Sequence, residues 1–387
     1  MQCELCLNSW NHPFGNPLHE SECRVCLNKN AVDIKLFQRL LNKLQVKKKS
    51  RYHCLVLLKG SPEDFFVVKK LTDNNIYPLC VFVNSYLSSN VAWQNVHSLI
   101  HKFDLELHTF NPNPAIYKRL VKYSFRRFQD VLTPYKMLQY TYTYKLASEL
   151  QVEFIISGEN QVQTNIKKYT DQAVVTNTPW AVYEHDVHTS RNDFFGPSLD
   201  LSYKQVASYD PMPITNGLVQ WYFLSDFLPW NQFEQDKGMV KYGARGQFQE
   251  STFDYFHRAG SSVFYEIHDI LRFYKFHSIK VDDQLSREIR RGSIEKKDAL
   301  VLSDYYKSKL FSARSINQNI SDFFAWLELD KDSAQWYIKN RLDIKFNFVE
   351  SSIGEHLHNN LLDHLYGSDI SGVEHKKKDF CVYEKGI

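Results

Sequence analysis

The chain has 387 residues, 43% of them hydrophobic and 24% charged, which fits one large core or two domains and excludes intrinsic disorder. With 47 basic against 44 acidic residues the formal net charge is +3, so no large electrostatic footprint for nucleic acid is built in and a nucleic-acid partner is not expected. No run of about 18 apolar residues occurs, and Met1–Cys6 carries neither a basic stretch nor an apolar one, so the expectation is no membrane span, no secretory signal and a cytoplasmic protein.

The chain opens on Cys3, Cys6, Cys23 and Cys26, four of its seven cysteines, in the pattern C-x2-C-x16-C-x2-C. Two such knuckles bring four thiolates to one tetrahedral ion, which reads as a zinc ribbon over residues 1–30 with a structural Zn; an iron–sulfur cluster is the alternative. His12 and His19 lie between the knuckles and read as loop residues. So small a segment buries little core, so the metal would supply its folding energy. Cys54, Cys80 and Cys381 read as buried or inert thiols.

Next, Ile34, Phe37, Leu40, Leu41 and Leu44 recur at helical spacing. An alternation follows. Strands are predicted at Cys54–Leu58, Tyr77–Val83, Leu105–Phe110 and Glu153–Ser157. Helices are predicted at Glu63–Thr72, Val91–Lys102, Tyr117–Phe128 and Tyr135–Leu150. This order predicts an α/β fold, a doubly wound and mostly parallel sheet over residues 31–200, covered on both faces. Beyond about residue 200 the pattern is helical and aromatic without clear strands, so residues 201–387 are expected to be a helical region completing a cleft.

Ligands of a doubly wound sheet bind beyond the carboxyl ends of its strands. That points to Lys59, Gly60 and Ser61 after the first strand, Asn84 after the second, and Gly158, Glu159 and Asn160 after the fourth. A Gly-Ser turn between strand and helix can aim backbone N–H groups at phosphate, although many such turns bind nothing.

Several segments in order resemble the N-acetyl sugar amidotransferases of the PP-loop ATP pyrophosphatase superfamily. They are the double CxxC, the strand-loop-helix at 54–72, Gly158-Glu159-Asn160, Tyr222–Asn231, Lys241-Tyr242-Gly243, Glu250–Phe253, His268–Phe276 and Ser286–Gly292. The resemblance implies ATP-dependent conversion of the N-acetyl group of a sugar nucleotide to an acetamidino group in surface-glycan synthesis. It implies ATP and Mg as cofactors and a glutaminase partner supplying ammonia. Glu159, His268 and Arg290 would be catalytic, Lys59, Gly60, Ser61, Asn84 and Gly158 would hold nucleotide, and Asn160, Trp230, Lys280 and Asp283 would hold substrate. Each also has an ordinary reading: turn and cap residues for Glu159 and Asn160, core for Trp230, helix surface for His268 and Arg290, and a helix cap for Asp282 and Asp283.

The family's phosphate loop reads SGGxDS; here the aligned residues are Lys59-Gly60-Ser61-Pro62-Glu63-Asp64, and only Gly60 is kept. Pro62 has no N–H to donate, and Glu63 and Asp64 place two carboxylates where phosphate would lie. The family's KFGxGRxTD becomes Lys275–Asp283, with two glycines and an arginine lost and Lys280 keeping a positive charge. Two alternatives therefore stand beside the enzyme: a catalytically silent homologue that binds ligand or partner, and a PP-loop tRNA-modifying enzyme.

Overall fold

A computed structural model of the protein describes residues 2–9, 11, 18–19, 21–27, 34–46, 50–158, 194–210, 219–260, 264–330, 332, 351–367, 370 and 372–375. The chain divides into two compact units. One, the sheet unit, comprises Ala31–Gln247, Phe256–Ser262 and Glu374–Ile387; the other, the helical unit, comprises Met1–Asn30, Phe248–Tyr255 and Val263–Val373.

In the helical unit the chain begins with a short antiparallel pair, β1 (Leu18–His19) and β2 (Glu22–Cys23), which runs into a one-turn helix, α1 (Arg24–Leu27). In the sheet unit, α2 (Ile34–Val46) precedes a strand-helix alternation: β3 (Cys54–Leu58), α3 (Pro62–Thr72), β4 (Pro78–Val83), α4 (Asn90–Phe103), β5 (Glu106–Phe110), α5 (Pro114–Phe128), α6 (Thr133–Glu149) and β6 (Phe154–Ser157). These agree with the predicted elements to within three residues at their ends. A short helix, α7 (Tyr203–Val206), follows, and then β7 (Gln220–Phe223). All neighbours in the sheet run parallel, in the spatial order β5-β4-β3-β6-β7.

β7 departs from the expectation of no strand after residue 200, and with it the sheet runs past the predicted boundary at 200. Its four residues, Gln-Trp-Tyr-Phe, are too few to show a period, and burial on both faces removes the alternation that marks a half-exposed strand.

The strands sort their side chains by the two-residue period. Cys54, Val56, Leu58, Cys80, Phe82, Phe154, Ile156 and Tyr222 face one core with α2, α3 and α4. Leu55, Leu57, Leu79, Val81, Ile155, Trp221 and Phe223 face the other, against Tyr140, Tyr144 and Ala147 of α6. Burying each large apolar side chain contributes about 1.5–3 kcal/mol, so the two layers fix the register and aim every strand's carboxyl end the same way. The helices start where sequence signals say they should: Pro62, Pro114 and Pro134 sit in first turns, and the Ser89 and Asn113 side chains accept the Ala92 and Ile116 N–H groups.

After β7 comes α8 (Gln232–Met239) in the sheet unit. The helical unit then continues with α9 (Tyr265–Phe276), α10 (Lys280–Arg291), α11 (Lys296–Ser312), α12 (Arg314–Trp326) and α13 (Ser351–Tyr366). Among the described residues no helix is long and apolar enough to cross a membrane.

Candidate functional site

The loop after β3 is built around one carboxylate. Oδ2 of Asp64 accepts the backbone N–H groups of Lys59 at 2.8 Å, Gly60 at 2.7 Å and Ser61 at 3.1 Å. Asp64 is the third residue of α3 and Ser61 its cap, so the Ser61 bond belongs to a capping box. The other two N–H groups lie before the helix. Gly60 has φ +81°, a left-handed conformation that brings consecutive N–H groups to one side. Burial pushes the Asp64 carboxyl up to about 6, against the pull of the three N–H groups and the Lys59 ammonium.

The same loop is packed on two sides. A Cβ on Gly60 would stand 2.6 Å from the Ala92 carbonyl oxygen in the first turn of α4, and one on Gly260 would stand 2.8 Å from the Lys59 carbonyl oxygen. The Asn95 amide donates to the Gly60 carbonyl at 2.9 Å and to that of Arg245 at 2.8 Å, and its oxygen accepts the Arg245 N–H at 2.8 Å. The Ser89 hydroxyl donates to the Ala259 carbonyl at 3.1 Å, so the segment 256–260 is tied to the start of α4. Gly60, Ser61, Pro62, Glu63 and Asp64 are all buried, and Lys59 is half-buried.

At the end of β4, Asn84 donates to Asn111 at 2.8 Å and accepts the Tyr86 N–H at 2.8 Å, a turn that joins the ends of β4 and β5. At the end of β6, Gly158 lies so close to Glu63 that a Cβ there would meet Oε1 at 2.6 Å. Glu63 in turn accepts from Gln232 at 3.4 Å, and Gln232 also donates to Asp236 at 2.8 Å. Trp230 is buried edge-on against Phe66, ring centres 5.2 Å apart, and its indole N–H donates to Gln232 at 2.8 Å. It packs in the core, the ordinary reading of that residue. Glu159 and Asn160 lie outside the described residues.

In the helical unit, Cys3, Cys6, Cys23 and Cys26 are all buried, with their four sulfurs within 4.8 Å of one another. One tetrahedral ion with metal–sulfur bonds of about 2.3 Å asks for sulfur–sulfur separations near 3.8 Å, and Cys6 and Cys23 stand 3.6 Å apart. Two donors already point at the sulfurs: the Cys23 N–H to Cys3 at 3.2 Å and the Asn8 amide to Cys23 at 3.4 Å. Of the thiol protons, the Cys6 hydrogen bond loosens that of Cys3 and the bond to Cys23 tightens that of Cys26. A divalent cation would replace them. The residues therefore fit a metal ion.

The remaining residues singled out from sequence fall on α9 and α10. Asp283 receives both terminal nitrogens of Arg272 and the Lys280 ammonium at 3.4 Å, while the Lys280 N–H goes to Asp269 at 3.0 Å. The structure thus brings Lys280 and Asp283 together, in a buried ion cluster that holds α9 to the start of α10. Asp282 caps α10 through the Ile279 N–H at 2.9 Å and accepts from Ser303 of α11 at 2.6 Å. His268 is half-buried, edge-on to Tyr265. Arg290 is half-buried in the last turn of α10. The deeply buried arginine of that helix is Arg287, paired with Asp254 at 2.7 Å and Glu288 at 2.6 Å. Sequence reasoning passed over Arg272, Asp254 and Asn95. Charged or amide side chains in helices and loops give no local signal of burial; only the tertiary fold makes them partners.

Residues 250–358 match the family model described as LPS biosynthesis protein WbpG-like, C-terminal domain. No curated protein matches the chain. Among solved structures, NMN synthetase from Francisella tularensis is similar at 15% identity and a TM-score of 0.30, over 62% of this chain and 94% of that one. The U34-tRNA thiolase NcsA from Methanococcus maripaludis with its [4Fe-4S] cluster is similar at 13% identity and a TM-score of 0.27, over 81% of this chain and 89% of that one. Neither likeness is deep enough to carry function. The chain thus joins a doubly wound parallel sheet to a segment, residues 250–358, that is similar to the WbpG-like C-terminal domain.

Proposed function

We propose that the protein serves lipopolysaccharide or related surface-glycan synthesis as a homologue of the N-acetyl sugar amidotransferases, and that it binds a sugar-nucleotide ligand or a protein partner without cleaving ATP. The observation that carries this reading is the engagement of the Lys59, Gly60 and Ser61 N–H groups by Asp64. A triphosphate bound at this loop would need those donors. Pro62 offers no N–H, and the buried carboxylates of Glu63 and Asp64 repel anionic oxygens. The WbpG-like match at 250–358 supports the pathway. For the four cysteines the proposed ion is zinc, in a structural role, since four protein ligands leave no open position.

A second reading is favoured by the same family match: an active amidotransferase. ATP would adenylate the acetamido oxygen and release pyrophosphate; ammonia from a glutaminase would attack the carbon, and AMP would leave with that oxygen. The protein's share would be to align the reactants and keep water from the activated amide. Incubation of the purified chain with ATP, Mg, ammonia and a panel of N-acetyl sugar nucleotides separates the two. The proposal expects neither AMP nor pyrophosphate above the protein-free rate, and an ATP Kd near or above ~1 mM. AMP and pyrophosphate formed in step with an acetamidino sugar would replace it by the second reading.

A further inference from the structure

We infer that Asp64 is the built-in occupant of the loop's anion cradle, a resident carboxylate that stands where a phosphate oxygen would and fills donors that the fold itself holds in place. The inference rests on the reading that this loop cleaves no ATP and goes beyond it by assigning the cause to one side chain.

A capping box accounts for one of the three bonds to Oδ2, that from Ser61. The Gly60 and Lys59 bonds, at 2.7 and 2.8 Å, are the excess. Three consecutive N–H groups converging on a single oxygen, with the middle residue at φ +81°, form the concave nest that backbone makes for an anion. The nest opens on the amino end of an eleven-residue helix, whose dipole favours negative charge at that place. Asp64 supplies the charge from within the chain.

The surroundings hold the nest independently of its occupant. The Asn95 amide fixes the Gly60 carbonyl at 2.9 Å. Ala92 and Gly260 approach Gly60 and Lys59 too closely for any side chain to intervene. The donors are thus held in place by the fold, and only the origin of the acceptor has changed. In the aligned SGGxDS pattern Asp64 occupies the last serine's place, so Asp64→Ser removes the resident carboxylate and leaves the donors facing an unfilled nest.

The test is calorimetric titration of inorganic pyrophosphate into the full-length wild type and into Asp64→Ser. The wild type is expected to show no saturable binding up to 10 mM as a set upper limit, on the order of the weakest affinities such a titration resolves. Asp64→Ser is expected to bind at least about tenfold more tightly than that limit, a factor worth roughly 1.4 kcal/mol. Micromolar binding to the wild type overturns the inference, as does a variant that melts cooperatively yet binds no pyrophosphate. Should Asp64→Ser fail to fold, amide hydrogen exchange of the wild type decides. The Lys59, Gly60 and Ser61 amides should be as protected as those of β3 and indifferent to pyrophosphate. Fast exchange, or slowing on pyrophosphate addition, overturns the inference. The AMP assay above tests the function separately, because an inactive protein with an unfilled nest would fail here and pass there.

Discussion

Arg272 closes both terminal nitrogens on the carboxylate of Asp283, at 3.0 and 2.9 Å, with the two side chains only 5% and 2% exposed. A bidentate pair this deep gains little over an apolar replacement of the same volume, but stranding either partner is costly. Asp283→Ala should therefore destabilise the protein by about 3–5 kcal/mol, whereas replacing the whole cluster, Arg272→Met and Lys280→Met with Asp283→Leu, should lose much less. Urea denaturation of the two variants measures this. Equal losses would mean that the pair contributes attraction rather than mutual cover.

Asp64 should give stability a pH dependence of unusual sign for a carboxylate. Its folded value of about 6 lies above the ordinary 3.8, so between those values the native state holds the proton more tightly than the unfolded chain. The contribution is fully present below the unfolded value and is lost as pH rises through the folded one, by about 3 kcal/mol in all. Unfolding of the wild type and Asp64→Asn at pH 4 and pH 7.5 isolates it. The wild type's stability relative to the variant should fall by that order between the two pH values, and a constant difference would refute the raised value.

Gly60 and Gly292 both sit at positive φ, +81° and +77°, but only Gly60 has atoms waiting for a Cβ. Alanine at Gly292 should cost the left-handed strain alone, about 1–2 kcal/mol. Alanine at Gly60 should cost that and, in addition, a displacement of the Ala92 backbone. Thermal melts of the two variants should differ by several degrees. Indistinguishable melts would show that the loop yields where the packing says it cannot.

The cysteine cluster is tied to its own unit by named bonds. Lys296 donates to the Cys3 carbonyl at 2.7 Å and the Glu4 carbonyl at 3.1 Å, and the Leu7 N–H goes to Ser286 at 3.1 Å. Four thiolates around a divalent ion carry a net negative charge, which the Lys296 ammonium offsets. Lys296→Met should weaken zinc binding by about 10–100-fold in a chelator competition, the usual effect of losing an outer partner of a metal site. The neighbouring Lys297→Met, where an exposed lysine is paired with Glu295, should leave it unchanged. Equal affinities for all three proteins would remove Lys296 from the metal's surroundings.

Strands β3 to β6 and the helices between them were legible in the sequence because apolar runs, helical spacing and turn-forming prolines agreed. β7 was not, since a four-residue aromatic strand buried on both faces has no period to read. The four cysteines were legible from spacing alone, which is why their sulfurs meet. Asp64 was read as a charge facing phosphate, whereas the structure turns its carboxylate onto the Lys59, Gly60 and Ser61 N–H groups. Which way a carboxylate turns depends on Gly60's conformation and on Asn95 and Gly260 packing behind it, all set by residues distant in sequence. Trp230 and Lys280 show the same limit: the residue type suited a ligand, and tertiary packing gave each a neighbour within the chain.

The bond from Leu7 to Ser286 spans 279 positions, and that from Lys296 to Cys3 spans 293. During translation the cysteine-bearing segment is made before these partners and meets them only once the intervening chain has followed. Until then its thiols have no helices to rest on. Contacts of such long separation form slowly, so the four thiols wait longer for their packing partners than those of an isolated knuckle would. A fragment cut to the WbpG-like boundaries alone would lack the segment that bonds to Ser286 and Lys296.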